Sequence, residues 1–376
     1  MSDQNTPDEM HQRAAGLLHL RGQGLAKGDP MALPITTSSM FHLPGDPDGA
    51  PGYGRVDNPT WEALEHALAL LEDAECVAFP SGMAAISAAL FATLKTGDRL
   101  LIPSDGYYVT RALGAEFLAG LGVEITERPT TEMAEADLHS FDVVLLESPS
   151  NPGLDLCDIA RISKSVRAGG GVTIVDNTTM TPFGQRPLDL GADIVVASDT
   201  KAPGGHSDLL MGHVATRDEK LLARMRDWRK MSGAIVSPHA AWALHRGLET
   251  LELRFTRMCD SAGWLAPRLA AHPAVMSLRY PGLPKDPSYD LARQQMSHMG
   301  FLIGLTLADK ETAERFIEGC PLLRPATSFG GVHSSAERRK RWGDEVADGF
   351  VRLSVGCEPK QVLAAEILAS LDRIQR

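Results

Sequence analysis

Residues 193–208 read DIVVASDTKAPGGHSD. The first six, DIVVAS, form a short and nearly continuous apolar run, the pattern of a strand buried on both faces. Lys201 follows just beyond its end, among small residues, a proline and two glycines. A lysine there is ordinarily a solvated loop residue in a turn. The alternative is an amine that, partly buried, loses its proton and attacks carbonyl carbon. That second reading needs companions elsewhere in the chain.

Outward from this stretch the pattern repeats. RLLIPS (99–104), DVVLLES (142–148) and VTIVDN (172–177) are further short apolar runs, separated by helical or loop segments. Buried strands alternating with helices predict an α/β protein with a mainly parallel sheet. Upstream, WEALEHALALLE (61–72) reads as an amphipathic helix with Thr60 as N-cap, and GMAAISAALFATL (82–94) as a buried helix. Residues 1–57 are broken repeatedly by Pro and Gly, and read as a helix near 8–20 followed by an extended arm. From Pro238 the chain is helical over 240–255. Then come GFLIGLTLA (300–308), a helix near 310–318, GFVRLSVG (349–356) and a closing helix over 359–374. The expected division is an arm (1–58), a large domain (59–238) and a smaller α+β domain (239–376).

Bulk properties exclude several functions. With 48 acidic against 37 basic residues, the chain carries a net charge of −11, which repels nucleic acid and anionic membranes. The cluster Arg338-Arg339-Lys340-Arg341 is followed by Asp344 and Glu345 and reads as a solvated helix face. No apolar run is long enough to span a bilayer, and the polar start MSDQNTPDEM is no signal peptide. Five dispersed cysteines without a CxxC pair suggest neither a zinc site nor a disulfide framework; a reducing cytoplasm fits. His206 has no second ligand at metal spacing, so no metal is expected.

Four polar clusters fall at strand ends or helix starts, where open parallel sheets bind ligands. Ser81-Gly82-Met83 opens the buried helix with free N–H groups and a positive dipole end. Alone this is an ordinary cap, but it suits a phosphate. Asp176 ends VTIVDN; it either caps a loop or faces a pyridinium nitrogen. Tyr107, in SDGYYVT, either covers a strand end or stacks on a flat ring and relays a proton. Ser198 and Thr200 alternate to one face beside Lys201. Together these supply a phosphate cradle, a ring stack, a pyridinium partner and a Schiff-base lysine, the parts that pyridoxal 5′-phosphate needs. A nicotinamide dehydrogenase is disfavoured, because no GxGxxG follows a strand.

Longer stretches carry a resemblance. YGRVDNPT (53–60), FPSGMAA (79–85), ESPSNP (147–152), VDNTTMTPFGQRPLDLGAD (175–193), SDTKAPGGHSDLLMG (198–212), RGLETLELR (246–254), TSFGG (327–331) and VRLSVGCE (351–358) resemble, in order, the transsulfuration family of fold-type I pyridoxal-phosphate enzymes. The resemblance runs from about Pro34 to the C-terminus. It implies the aspartate-aminotransferase-like fold, with a seven-stranded sheet between helices. It implies that Lys201 is the cofactor lysine and proton shuttle, and that Asp176 is the ring-nitrogen partner. Ser81, Gly82, Met83, Ser198 and Thr200 would cradle the phosphate, and Tyr107 would stack on the ring and protonate a departing sulfur. Tyr53 and Arg55 would reach the phosphate of a neighbouring subunit, Tyr53 touching substrate as well, in a homotetramer built from two dimers with shared sites. Asn151 and Arg352 would hold the substrate α-carboxylate, with Ser328 fixing Arg352.

Three departures from the family pattern touch the distal end of the substrate: Tyr108-Val109 after the stacking tyrosine, His333 where a glutamate is usual, and a shortened segment between Gly331 and Arg352. The wording is closest to the γ-lyases. It implies carbon–sulfur lyase chemistry on a small-molecule sulfur amino acid, first of all cleavage of L-cystathionine to cysteine, 2-oxobutanoate and ammonia. β-Lyase, methionine γ-lyase and γ-synthase or O-acylhomoserine sulfhydrylase activities are neighbours. A non-catalytic cofactor-binding regulator is the alternative from another class.

Overall fold

The computed structural model describes residues 9–375. Seven strands form the larger sheet: β1 (Glu75–Phe79), β2 (Arg99–Pro103), β3 (Glu124–Arg128), β4 (Val143–Glu147), β5 (Val172–Asp176), β6 (Ile194–Ala197) and β7 (Gly212–Thr216), in the order β1-β7-β6-β5-β4-β2-β3. The pairs from β6 through β3 are parallel, and β7 runs antiparallel to both its neighbours. This is the mainly parallel α/β sheet expected. The apolar runs at 99–104, 142–148, 172–177 and 193–198 are its four central strands, buried because helices cover both faces.

A second sheet, β8 (Ser277–Arg279), β9 (Leu302–Thr306), β10 (Arg324–Pro325), β11 (Ser335–Arg338) and β12 (Phe350–Ser354), has the order β10-β11-β12-β9-β8. The helix Leu251–Ala270 joins the two cores. Its first half (Phe255, Met258) packs with the helices Pro59–Glu72 and Pro238–Leu248, and its second half (Leu265, Leu269) lies under the smaller sheet.

Three sequence expectations are corrected. The helix at 59–72 is capped by Asn58, not Thr60: Asn58 is extended and its Oδ1 accepts the Thr60 N–H at 2.9 Å, with Pro59 in the first turn, where no N–H is needed. Thr60 Oγ1 instead accepts the Thr36 N–H at 2.9 Å and so pins the arm. The helix over 240–255 is two helices, broken at Glu249–Thr250. Finally, 338–341 is no solvated helix face. Arg338 and Arg339 are buried, bonded to Glu314 and to Glu337 and Asp344 respectively.

Candidate active site

A cavity of about 250 Å³ opens at the carboxyl ends of β4, β5 and β6. Parallel strands leave their C-terminal edge to loops, and there the sheet presents Glu147, Asp176 and Ser198 side by side. The cavity wall brings together Ser81, Gly82, Met83, Tyr107, Asn151, Asp176, Ser198, Thr200 and Lys201.

The helix Gly82–Thr93 begins at this wall. Ser81 caps it, its Oγ accepting the Ala84 N–H at 3.1 Å. The N–H groups of Gly82 and Met83 have no partner among the described residues, so they remain available to an anion at the positive end of the helix. A Cβ at Gly82 would stand 2.6 Å from that of Ser198; only glycine lets the two segments approach this closely.

Asp176 is buried, and its Oδ1 accepts both the N–H (3.0 Å) and the hydroxyl (2.5 Å) of Thr178. The Thr178 hydroxyl in turn accepts the Ser198 N–H at 2.8 Å, tying the ends of β5 and β6 together. Oδ2 takes no hydrogen bond from a described residue. Burial raises the carboxyl above its ordinary value, against Thr178 and the nearby Lys201 ammonium.

Lys201 lies with Nζ 5.4 Å from the Phe329 ring centroid. Burial, aided by the positive Arg352, lowers its pKa to about 8 in spite of Asp176. Gly330 closes over this segment with φ +79°, where a Cβ would meet the Ala202 nitrogen at 2.6 Å. Tyr107 is half-buried, and burial raises its phenol further above the neutral range. A lysine biased toward the free amine and a phenol biased toward its protonated form are a base and an acid facing one cavity.

Arg352 is buried behind the wall. It donates to Asn151 Oδ1 (2.6 Å), to the Thr327 carbonyl (2.8 Å) and to Glu337 Oε2 (3.0 Å). The sequence expectation gave the fixing role to Ser328; the structure gives it to the Thr327 carbonyl, while the exposed Ser328 offers its own carbonyl to the Ser335 hydroxyl. Burial, with Arg339 nearby, lowers Arg352 to about 10.

Other expected residues stand apart. His333 is exposed and does not line the cavity. Tyr53 and Arg55 lie on the exposed arm, stacked on one another at 5.6 Å, with Arg55 donating to the Lys230 carbonyl at 3.0 Å; within one chain they do not reach the cavity. The Thr200 hydroxyl both donates to the Met211 carbonyl and accepts its N–H. Sequence reasoning missed Glu147, Thr178, Thr179 and Phe329. All four lay inside quoted stretches, but side-chain bonding across strands has no signal in the sequence.

The family described as Cys/Met metabolism PLP-dependent enzyme matches residues 19–372. The chain belongs to this family. It is an enzyme, and its cofactor is pyridoxal 5′-phosphate. It is 48% identical over 342 residues to a Streptomyces coelicolor protein provisionally named a cystathionine γ-lyase, covering 89% of this chain and 87% of that one. It is 38% identical to the L-methionine γ-lyase of Pseudomonas putida, covering 85% and 84%. The crystal structure of cystathionine γ-synthase from Xanthomonas oryzae in complex with cystathionine superposes with a TM-score of 0.91 at 32% identity, over 98% and 99% of the two chains.

The cavity fits the cofactor on its own terms. It offers two free helix N–H groups, an unshared Asp176 oxygen, and Thr179 Oγ1, which is buried without a partner.

Proposed function

We propose that this enzyme is a carbon–sulfur lyase acting first on L-cystathionine, releasing cysteine, 2-oxobutanoate and ammonia with consumption of water. The observation that carries the reading is the single cavity lined by a low-pKa lysine, Lys201, by Tyr107 and by Asn151, with Arg352 bonded to Asn151 behind its wall.

Gly82, Met83, Ser198 and Thr200 would hold the cofactor phosphate, Asp176 its ring nitrogen, Tyr107 its ring face and Lys201 its aldehyde carbon. The bound cofactor supplies an electron sink for carbanion chemistry at the substrate α-carbon. Arg352 and Asn151 bind the α-carboxylate and orient the α-proton. Lys201 Nζ, free to be neutral near pH 8, takes that proton and, having released it, takes a second from the β-carbon, whose electron pair expels the sulfur from the γ-carbon. The Tyr107 hydroxyl protonates the leaving sulfur. Phe329 and Leu210 add apolar surface to the cavity wall.

A second reading is a methionine γ-lyase. Ile86, Leu210 and Phe329 make part of the wall apolar, and His333 does not line it; an uncharged thioether suits that surface. We further propose the arm up to residue 58 as the contact with a neighbouring subunit, 59–238 as the cofactor domain and 239–376 as the smaller domain. The assembly would be a cytoplasmic homotetramer with shared sites.

The test is the 2-oxo acid formed from L-cystathionine by cofactor-loaded protein, identified by mass. 2-Oxobutanoate supports the first reading. Pyruvate identifies a β-lyase, and no oxo acid from cystathionine with 2-oxobutanoate from methionine identifies the second. Lys201→Ala is expected to abolish turnover in every case; a near-normal rate in that variant overturns the role of Lys201.

A further inference from the structure

Three buried ionisable side chains stand behind the lysine-bearing segment, outside the chemistry above. Asp199, His213 and Glu72 are 0%, 2% and 5% exposed. His213 Nδ1 lies 3.0 and 2.9 Å from the two oxygens of Asp199, and its Nε2 lies 3.3 Å from Glu72 Oε1. Both ring nitrogens face carboxylates, which suits an imidazolium with two donors. Burial would lower the pKa of His213, but the carboxylates outweigh it and raise the value to about 10. No other described group donates to the Asp199 carboxylate.

The placement matters more than the charge. Asp199 sits between Ser198 and Thr200, which line the cavity, while its own side chain is buried away from it against His213. Met211 and His213 therefore hold this segment from two directions. Met211 bonds Thr200 through its N–H and carbonyl, and His213 bonds Asp199. The Asp199 carbonyl also accepts the Gly204 N–H at 2.8 Å, closing the turn that carries Lys201.

We infer that Asp199 and His213 are positioning residues, whose ion pair fixes the backbone of 198–201 and thereby sets where Lys201 and Thr200 stand in the cavity. The inference rests on the reading of Lys201 as the cofactor lysine. A carboxylate this deeply buried, paired only with an imidazolium, cannot shift without losing its partner, and breaking such a pair is costly. Apolar replacements of both partners can keep a fold equally stable, so what the pair adds is local geometry.

The test uses the full chain with Asp199→Asn, His213→Gln and Glu72→Gln. For each, the cofactor dissociation constant, the pH midpoint of the bound cofactor's visible absorption band, and Tm are measured. Asp199→Asn and His213→Gln are expected to weaken cofactor binding about tenfold or more, about 1.4 kcal/mol, and to move the pH midpoint. Glu72→Gln loses only a contact to the helix Pro59–Glu72; it lowers Tm and leaves cofactor binding within about twofold. Equal binding and an unmoved midpoint in Asp199→Asn and His213→Gln, with only Tm lowered, overturn the inference. If the single variants do not fold, the double Asp199→Leu/His213→Leu variant decides. Regained Tm with weakened binding supports positioning, and native binding overturns it. Survival of the visible band in Lys201→Ala would overturn the lysine reading instead, separately from these outcomes.

Discussion

Glu147 has both carboxylate oxygens committed: Oε2 accepts the Tyr107 N–H at 2.6 Å and Oε1 the Asn151 N–H at 3.0 Å. It thus joins the segment bearing Tyr107 to the segment bearing Asn151. Burial, with Asp176 beside it, raises its pKa well above the ordinary range. Glu147 and Asp176 pair in register at the ends of β4 and β5. The sequence pointed to Asp176 and passed over Glu147, because each is only a carboxylate after an apolar run until strand order makes them neighbours. Glu147→Gln keeps the shape but can satisfy only one of the two N–H groups. Leaving one buried donor unpaired costs about 1–3 kcal/mol. The expected result is a kcat/KM lower by roughly 5- to 150-fold with the fold retained, measured by steady-state kinetics and circular dichroism. Unchanged kinetics would show that the two segments hold their places without this carboxylate.

At the scale of elements, what was legible follows burial. The central strands announce themselves as continuous apolar runs because both faces are covered. β3 (EITER) and β7 (GHVAT) do not, since each mixes polar with apolar residues. β3 is an edge strand with exposed glutamates; β7 spends a buried position on His213, which reads as polar until Asp199 and Glu72 are seen against it. The basic run 338–341 misled for the same reason. Its partner Glu337 receives Arg339, Arg341, Arg352 and Trp342 together, a convergence made by β11 and β12 lying side by side. The opening of the helix Gly82–Thr93 was fully legible, since a cap and a glycine are local signals. It supports a sharp test. Gly82→Ala favours the helix by up to about 1 kcal/mol, yet its Cβ would meet that of Ser198 at 2.6 Å. Apoprotein Tm is expected to hold while the cofactor dissociation constant rises about tenfold, read by titration of the visible band. A variant that binds the cofactor as wild type does would remove the helix start from the phosphate cradle.

For the whole molecule, two buried groups titrate in opposite senses, and their sum shapes stability against pH. His213 rises from an ordinary 6.5 to about 10 on folding. Its contribution is complete below pH 6.5 and is lost as pH climbs toward 10, because the folded chain then holds a proton the unfolded chain has released. Lys201 falls from 10.5 to about 8. Between those values the unfolded chain holds the extra proton, so stability rises with pH. Each proton of difference is worth about 1.4 kcal/mol per pH unit. Between pH 6.5 and 8 the His213 term lowers stability, and from 8 to 10 the Lys201 term opposes it. Lys201→Met apoprotein lacks the rising term, so from pH 8 to 10 its Tm is expected to fall more steeply than that of the wild type. The difference between the two curves isolates Lys201 from every other titrating group in the chain. Thermal melts at half-unit steps from pH 6.5 to 10 measure it, and curves that stay parallel throughout would mean that the lysine is not held in the neutral form by the fold.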